Sequence, residues 1–199
     1  MAARACGVKA FRLCVDLNVW VSHFLARANS LSGTATRIIV EAVQDGRAGI
    51  GPVQLVVSHS MLYRLQDVLL RKGASLDTST LLISQIAAFA LLGPAQEFPG
   101  MVLGGGTEPT QDAKMPQFDP YDSGTVPDRL DAEDGRVLDA ALAGDADALV
   151  TNNFRDFVHH QDIIVIRDRV HIRQAARKSL VILRPVEAAL WLQTGQRRG

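Results

Sequence analysis

The run CVDLNVWVS, residues 14–22, sets a single acid inside an apolar stretch. Leu13, Cys14 and Val15 precede Asp16, and Asn18, Val19, Trp20 and Val21 follow it. Such a run predicts a buried strand. A carboxylate at the end of a buried strand is costly unless a cation or hydrogen-bond donors meet it. In open α/β sheets, ligand sites gather at the carboxyl ends of the strands. Asp16 is therefore a candidate metal-binding acid. Asp is also a good helix N-cap, and this segment alone leaves both roles open.

The rest of the chain alternates similar apolar runs with helical patterns. VQLVVS (53–58), ADALVTNN (146–153), DIIVIRDRVHI (162–172) and LVIL (180–183) predict further strands. TATRIIVEAVQDG (34–46), SMLYRLQDVLLRK (60–72), TSTLLISQIAAFALL (78–92), AEDGRVLDAALAGDA (132–146) and PVEAALWLQTG (185–195) predict helices. The helix over 78–92 is apolar enough to be expected in the core. Alternating strands and helices predict an α/β fold, a three-layer α/β/α arrangement with a mostly parallel central sheet. At 199 residues the chain suits one domain, 1–199.

Residues 93–127 break the pattern. They hold Pro94, Pro99, Pro109, Pro116, Pro120 and Pro127, with Gly104, Gly105 and Gly106 in a row. They predict an inserted surface excursion, exposed or poorly ordered over 104–124, with Phe98, Met101, Val102 and Leu103 anchoring a short strand. The triple glycine lacks the Lys-Ser/Thr pair of a P-loop and the spacing of a dinucleotide fingerprint.

Charge and cysteines narrow the function. Lys plus Arg (21) balances Asp plus Glu (21), which argues against nucleic-acid binding by overall charge and leaves a local basic groove open. Cys6 and Cys14 are too few for a disulfide framework, and Cys14 lies in an apolar strand, which predicts a reducing, cytoplasmic setting. No apolar run is long enough for a membrane span, and the first residues lack a signal-peptide pattern, so no membrane association is expected. No Cys/His cluster has zinc spacing; His159 and His160 are adjacent and expected to point opposite ways.

Three predicted strand ends carry polar groups. They are Asp16, Asp134 on the helix before the strand over 146–153, and Thr151-Asn152-Asn153 with Asp156 just after it. Acids converging at one sheet edge make an oxygen-rich site for Mg²⁺ or Mn²⁺. Such ions activate water and stabilise a leaving oxygen in phosphodiester hydrolysis.

With these segments in order, the chain resembles the PIN-domain family of metal-dependent ribonucleases, which includes toxins of bacterial toxin–antitoxin pairs. CVDLNVWVS resembles the opening strand with its first acid, and LSGTATRIIVEAVQDG the first helix. LVVSHSMLYRLQDVLLR resembles the second strand and helix. DAEDGRVLDAALAGDADALVTNNFRDF resembles the third-acid helix, the next strand and the asparagine-containing turn. LVILRPVEAALWL resembles the last strand and helix.

The resemblance implies a Mg²⁺- or Mn²⁺-dependent endoribonuclease. Asp16, Asp134 and Asp156 would be its metal ligands and Asn153 a further catalytic group, with Asn18 and Thr151 orienting them. It also implies RNA as substrate, an antitoxin protein as partner and a homodimer. Asp131, Glu133 and Asp139 are expected to be solvated helix charges. Arg64, Arg71, Arg129, Arg136 and Arg155 would grip RNA. The family's second acid falls on Arg64, with Asp67 three residues on, and the Thr commonly following the first Asp is Leu17. Arg64 would pair with an acid, bind a substrate phosphate or face solvent. The alternative function is a non-catalytic PIN-like module that binds RNA or protein. The stretch RDRVHIRQAARK (167–178), with five Lys/Arg and one Asp, is expected to be a solvated hairpin in preference to a nucleic-acid surface.

Overall fold

In the computed structural model, residues 9–94, 100–102, 132–175 and 178–196 are described. In chain order they form β1 (Phe11–Val15), α1 (Leu17–Ala28), α2 (Ala35–Asp45), β2 (Arg47–Ala48), β3 (Gly51–Ser58), α3 (His59–Arg71), α4 (Leu76–Leu92) and β4 (Met101–Val102). Then come α5 (Ala132–Ala143), β5 (Ala148–Val150), α6 (Phe154–Phe157), β6 (Ile163–Ile166), β7 (Val170–Gln174), β8 (Ser179–Leu183) and α7 (Pro185–Thr194).

The strands make one sheet in the order β2-β3-β1-β5-β8-β7-β6, with β4 added beside β3. β4, β3, β1, β5 and β8 run parallel. β7 and β6 turn antiparallel beyond β8, and β2 is antiparallel to β3. Side chains alternate across a strand, yet every residue of β1 and β5 is buried. Both faces of the sheet centre are therefore covered. α1, α2 and α7 pack in sequence with one another, as do α4, α3 and α5. The predicted α/β fold with parallel central strands is present.

Several boundaries differ from the sequence reading. The opening run is not one strand: β1 ends at Val15, and LNVWVS begins α1. Asp16 caps the helix, and Leu17, Val19 and Trp20 turn inward with helical spacing. Residues 162–172 are a hairpin, because Asp168 takes a left-handed turn (φ 59°) between β6 and β7. The helix expected over 132–146 stops at Ala143, and Asp145 adopts φ 51°. Gly46, left-handed at φ 62°, ends α2 as its sequence position predicts.

α4 is not the core helix its composition predicts. Ser79, Ile86 and Ala90 are buried, but Leu81 is 59% exposed and Leu92 74% exposed. Among the described residues, α4 packs on α3, β3 and β4, and its apolar residues, spread around the helix, exceed what those neighbours cover. The expected short strand exists as β4, whose Met101 and Val102 pair with Val57 and Ser58. Part of the 93–127 excursion is thus a strand of the sheet; residues 95–99 and 103–131 lie outside the described residues.

Candidate active site at the carboxyl edge of the sheet

β1 and β5 are paired in register from Leu13 and Ala148 to Val15 and Val150, so both end at the same level. The Asp16 N–H donates to Val150 O at 2.9 Å, and the Thr151 N–H to Leu183 O at 3.0 Å. Asp16 and Thr151 therefore stand side by side where the parallel strands stop.

Asp16 is 4% exposed. The Leu17 N–H donates to its Oδ1 at 2.6 Å, and the Thr151 hydroxyl donates to its Oδ2 at 2.6 Å. Both roles left open by the sequence are thus compatible: Asp16 caps α1 and still presents a buried carboxylate at the strand end. Burial pushes the neighbouring Cys14 thiol well above its ordinary range, and the Asp16 charge adds to that push.

Thr151 is the hinge of the network. Its oxygen accepts from the Asn153 N–H at 2.9 Å and from Asn18 Nδ2 at 3.4 Å. The Asn152 N–H donates to Asn18 Oδ1 at 3.0 Å, and Asn152 Nδ2 to Ser22 Oγ at 3.1 Å. The Ser22 hydroxyl donates to Asn18 O at 2.7 Å. Asn153 Nδ2 donates to the Asp156 carboxylate, which lies in the four-residue helix α6. Asp16, Asn18, Thr151, Asn153 and Asp156 are therefore joined by one continuous hydrogen-bonded chain.

Ser22 belongs to that chain as well, and nothing in the sequence reading pointed to it. Ser22 stands four residues after Asn18, a helical neighbour. Reading residues 14–22 as a strand hid that relation.

Asp134 is half-buried in the first turn of α5. At the other end of α5, Arg12 Nε at the start of β1 donates to Gly144 O at 2.8 Å. The helix packs on β1, β3 and β5 and runs back against them, so its first turn lies towards the edge that carries Asp16. Asp139 is exposed, as expected; Asp131 and the Glu133 side chain lie outside the described residues.

Across the edge, Ser58 ends β3 and caps α3, accepting from the Met61 N–H at 3.2 Å. Arg64 is exposed in the second turn of α3. Asp67 is exposed on the side of α3 away from the buried Met61, Leu65 and Leu69. Asp67, three residues beyond Arg64, thus faces away from the core on which α3 packs.

The basic side chains divide in two. Arg71, Arg136 and Arg155 are exposed; Arg129 lies outside the described residues. In the 167–178 stretch, Arg173 Nε and Nη2 donate to Asp162 at 3.0 Å each, and Nη2 also to Phe157 O at 2.7 Å. Arg169 pairs with Glu187 at 3.2 Å, and Lys178 with Asp147 at 2.9 Å. These cations are paired within the fold. The Arg173 side chain is only 15% exposed, whereas Arg167, Asp168 and Arg169 are exposed, so the stretch is solvated at its β6–β7 turn and tied down further along.

Among the described residues, no three His, Cys, Asp or Glu side chains converge to hold a metal ion. His159 and His160 do not point opposite ways: their exposed rings lie 4.0 Å apart, centroid to centroid, because they sit in a turn and not a strand. The donors at the edge are all oxygens, which suits a hard divalent cation in kind. Mg²⁺ is commonly held by one or two carboxylates, with water and substrate phosphate completing the shell. The residues present fit that sparser mode. Among the described residues, no helix is long and apolar enough to cross a membrane.

A sequence model of the PIN domain matches residues 12–155, from β1 through α6. The chain belongs to the PIN-domain family, whose members are generally nucleases. No curated protein matches the chain, and no solved structure does.

Proposed function

We propose that the protein is a PIN-type endoribonuclease that uses Mg²⁺ or Mn²⁺. The observation that carries this reading is the Asp16 carboxylate, buried at the end of the central strand and oriented by the Leu17 N–H and the Thr151 hydroxyl. Asp16 and Asp134 would hold the ion, with Asp156 and Asn153 at its margin. When bound, the ion supplies an activated water and charge stabilisation at the phosphate. Thr151 and Asn18 fix the rotamers of the groups around it. Arg136 and Arg155 are exposed and would meet RNA phosphates, and Arg64 is exposed on α3 at the same edge. The biological setting proposed with it, from the sequence resemblance alone, is a toxin paired with an antitoxin protein, acting as a cytoplasmic homodimer.

One observation favours a second reading, a PIN-like module that binds RNA or protein without cleaving it. The position of the second acid is occupied by Arg64, and no three-acid cluster forms among the described residues. A cleavage assay on single-stranded RNA decides between them. The nuclease reading expects Mn²⁺-dependent cleavage by the wild type, abolished in Asp134→Asn. RNA binding without cleavage by the wild type supports the module.

A further inference from the structure

α1 carries the site's Asn18 and Ser22 in its first turns and continues to a cleft between α1 and α2. The cleft measures about 380 Å³ and is lined by His23, Arg27, Ser32, Thr34, Arg37 and Glu41, among others. His23 directly follows Ser22, whose oxygen accepts from Asn152. Five residues of helix, from Asn18 to His23, span about 7.5 Å. The cleft thus begins where the hydrogen-bonded network of the site ends.

Three features make it suited to an anion. The buried Nδ1 of His23 has no hydrogen-bond partner. Buried polar atoms are rarely left so, and an unmet one marks a place for water or ligand. Arg27 stands four residues after His23, on the same side of α1, and its side chain is exposed. Glu41 is the acid of the lining, and Arg37 Nε holds it at 2.6 Å, so the lining keeps a surplus of positive charge. Burial, with Arg27 and Arg37 beside it, holds His23 below its ordinary range, which keeps the imidazole neutral with one N–H to donate.

We propose that this cleft binds a backbone phosphate of single-stranded RNA next to the segment at the Asp16 edge, with Arg27 as the main contact and His23 as a hydrogen-bonding partner. The inference rests on the ribonuclease reading and extends its substrate path along α1. A phosphate contact carries no sequence information; it positions the strand. It also leaves a salt signature, because each neutralised single-strand phosphate contributes about 0.7 to the slope of log affinity against log salt.

The test is fluorescence titration of a labelled single-stranded RNA with the full chain in EDTA, at several salt concentrations. Arg27→Glu is expected to weaken binding roughly tenfold and to lower the salt slope by about 0.7. His23→Ala is expected to weaken binding less, and Arg27→Lys to retain most of it. Arg27 is exposed, so its two variants should melt like the wild type. Arg27→Glu with wild-type affinity and slope overturns the proposal. Weaker binding at an unchanged slope overturns it too, because the contact is then not to a phosphate. Wild-type chain that binds no RNA at all removes the ribonuclease reading itself, a different failure from wild-type binding that ignores Arg27.

Discussion

The two sides of the carboxyl edge are built differently. On the β1–β5 side, Asp16 is buried and joined through Thr151 to Asn18, Asn153 and Asp156. On the α3 side, the corresponding helix presents Arg64 and Asp67, both exposed. One side is a pre-positioned set of oxygen donors; the other offers a cation and an acid facing away from the core. Preorganised donors are what an ion or a developing charge can use without further rearrangement. The surroundings of Asp16 are ordered by hydrogen bonds even though the facing helix carries the cation Arg64.

The largest effect should come from the preorganised side. Asp16→Asn keeps a good N-cap but removes the charge. It is expected to abolish Mn²⁺-dependent cleavage while changing stability by only about 1 kcal/mol, because a capping acceptor remains. Asp16→Ala removes the cap and the acceptor for Thr151 together, and is expected to lower stability by roughly 2–3 kcal/mol. Urea melts of both variants, alongside the cleavage assay, separate the two roles. Equal destabilisation by Asn and Ala would mean that the charge, and not the acceptor geometry, holds α1 in place.

Arg173→Ala comes next. Its guanidinium binds Asp162 through two nitrogens and also Phe157 O, and the Asp162 side chain is 3% exposed. Losing it strands a nearly buried carboxylate, which is expected to cost about 3 kcal/mol in a urea melt. RNA affinity should stay unchanged relative to Arg155→Ala, whose side chain is exposed on α6 beside Asn153. Weakened RNA binding by folded Arg173→Lys, with stability retained, would move the 167–178 stretch from scaffold to interface.

How much of this was legible beforehand depends on the range of the interaction. The parallel centre was, because β1, β3 and β5 are short apolar runs whose burial on both faces leaves a direct trace in sequence. Asp16 and Thr151 were, because acids and hydroxyls at strand ends are conspicuous against apolar residues. The start of α1 was not: Val19, Trp20 and Val21 suit a strand as well as a helix, and only the cap at Asp16 decides. The β6–β7 hairpin was missed because its turn uses Asp168 at positive φ where Gly would have announced it. The exposed side of α4 was missed because composition reports how apolar a helix is, not how many neighbours it meets.

Arg64→Glu tests the α3 side directly. The substitution restores an acid at the family's second position and changes the local charge by two units. Interaction between unit charges ~4 Å apart is on the order of several kcal/mol at an effective dielectric of about 20. Since about 1.4 kcal/mol is one decade of affinity, even part of that is expected to tighten Mn²⁺ binding tenfold or more. Calorimetric titration of Mn²⁺ into both forms gives the answer. Equal affinity would place Arg64 outside the reach of the ion.

The smallest effect is expected from Asp67→Asn, and it completes the comparison. Asp67 is exposed on the outer side of α3, away from Met61, Leu65 and Leu69, and Arg71 Nε donates to its carbonyl oxygen and not to its carboxylate. The Asn variant keeps that backbone acceptor and the side-chain shape while removing the charge. Exposed substitutions of this kind usually stay within about 0.5 kcal/mol of the parent. Mn²⁺ affinity should match the wild type, since a charge on the far side of the helix is screened by solvent over roughly 8–10 Å at ordinary salt. The same titration series measures it. A clear drop in Mn²⁺ affinity for Asp67→Asn, with stability unchanged, would mean that Asp67 supplies the second acid after all, and that α3 turns its outer face toward the edge when the ion binds.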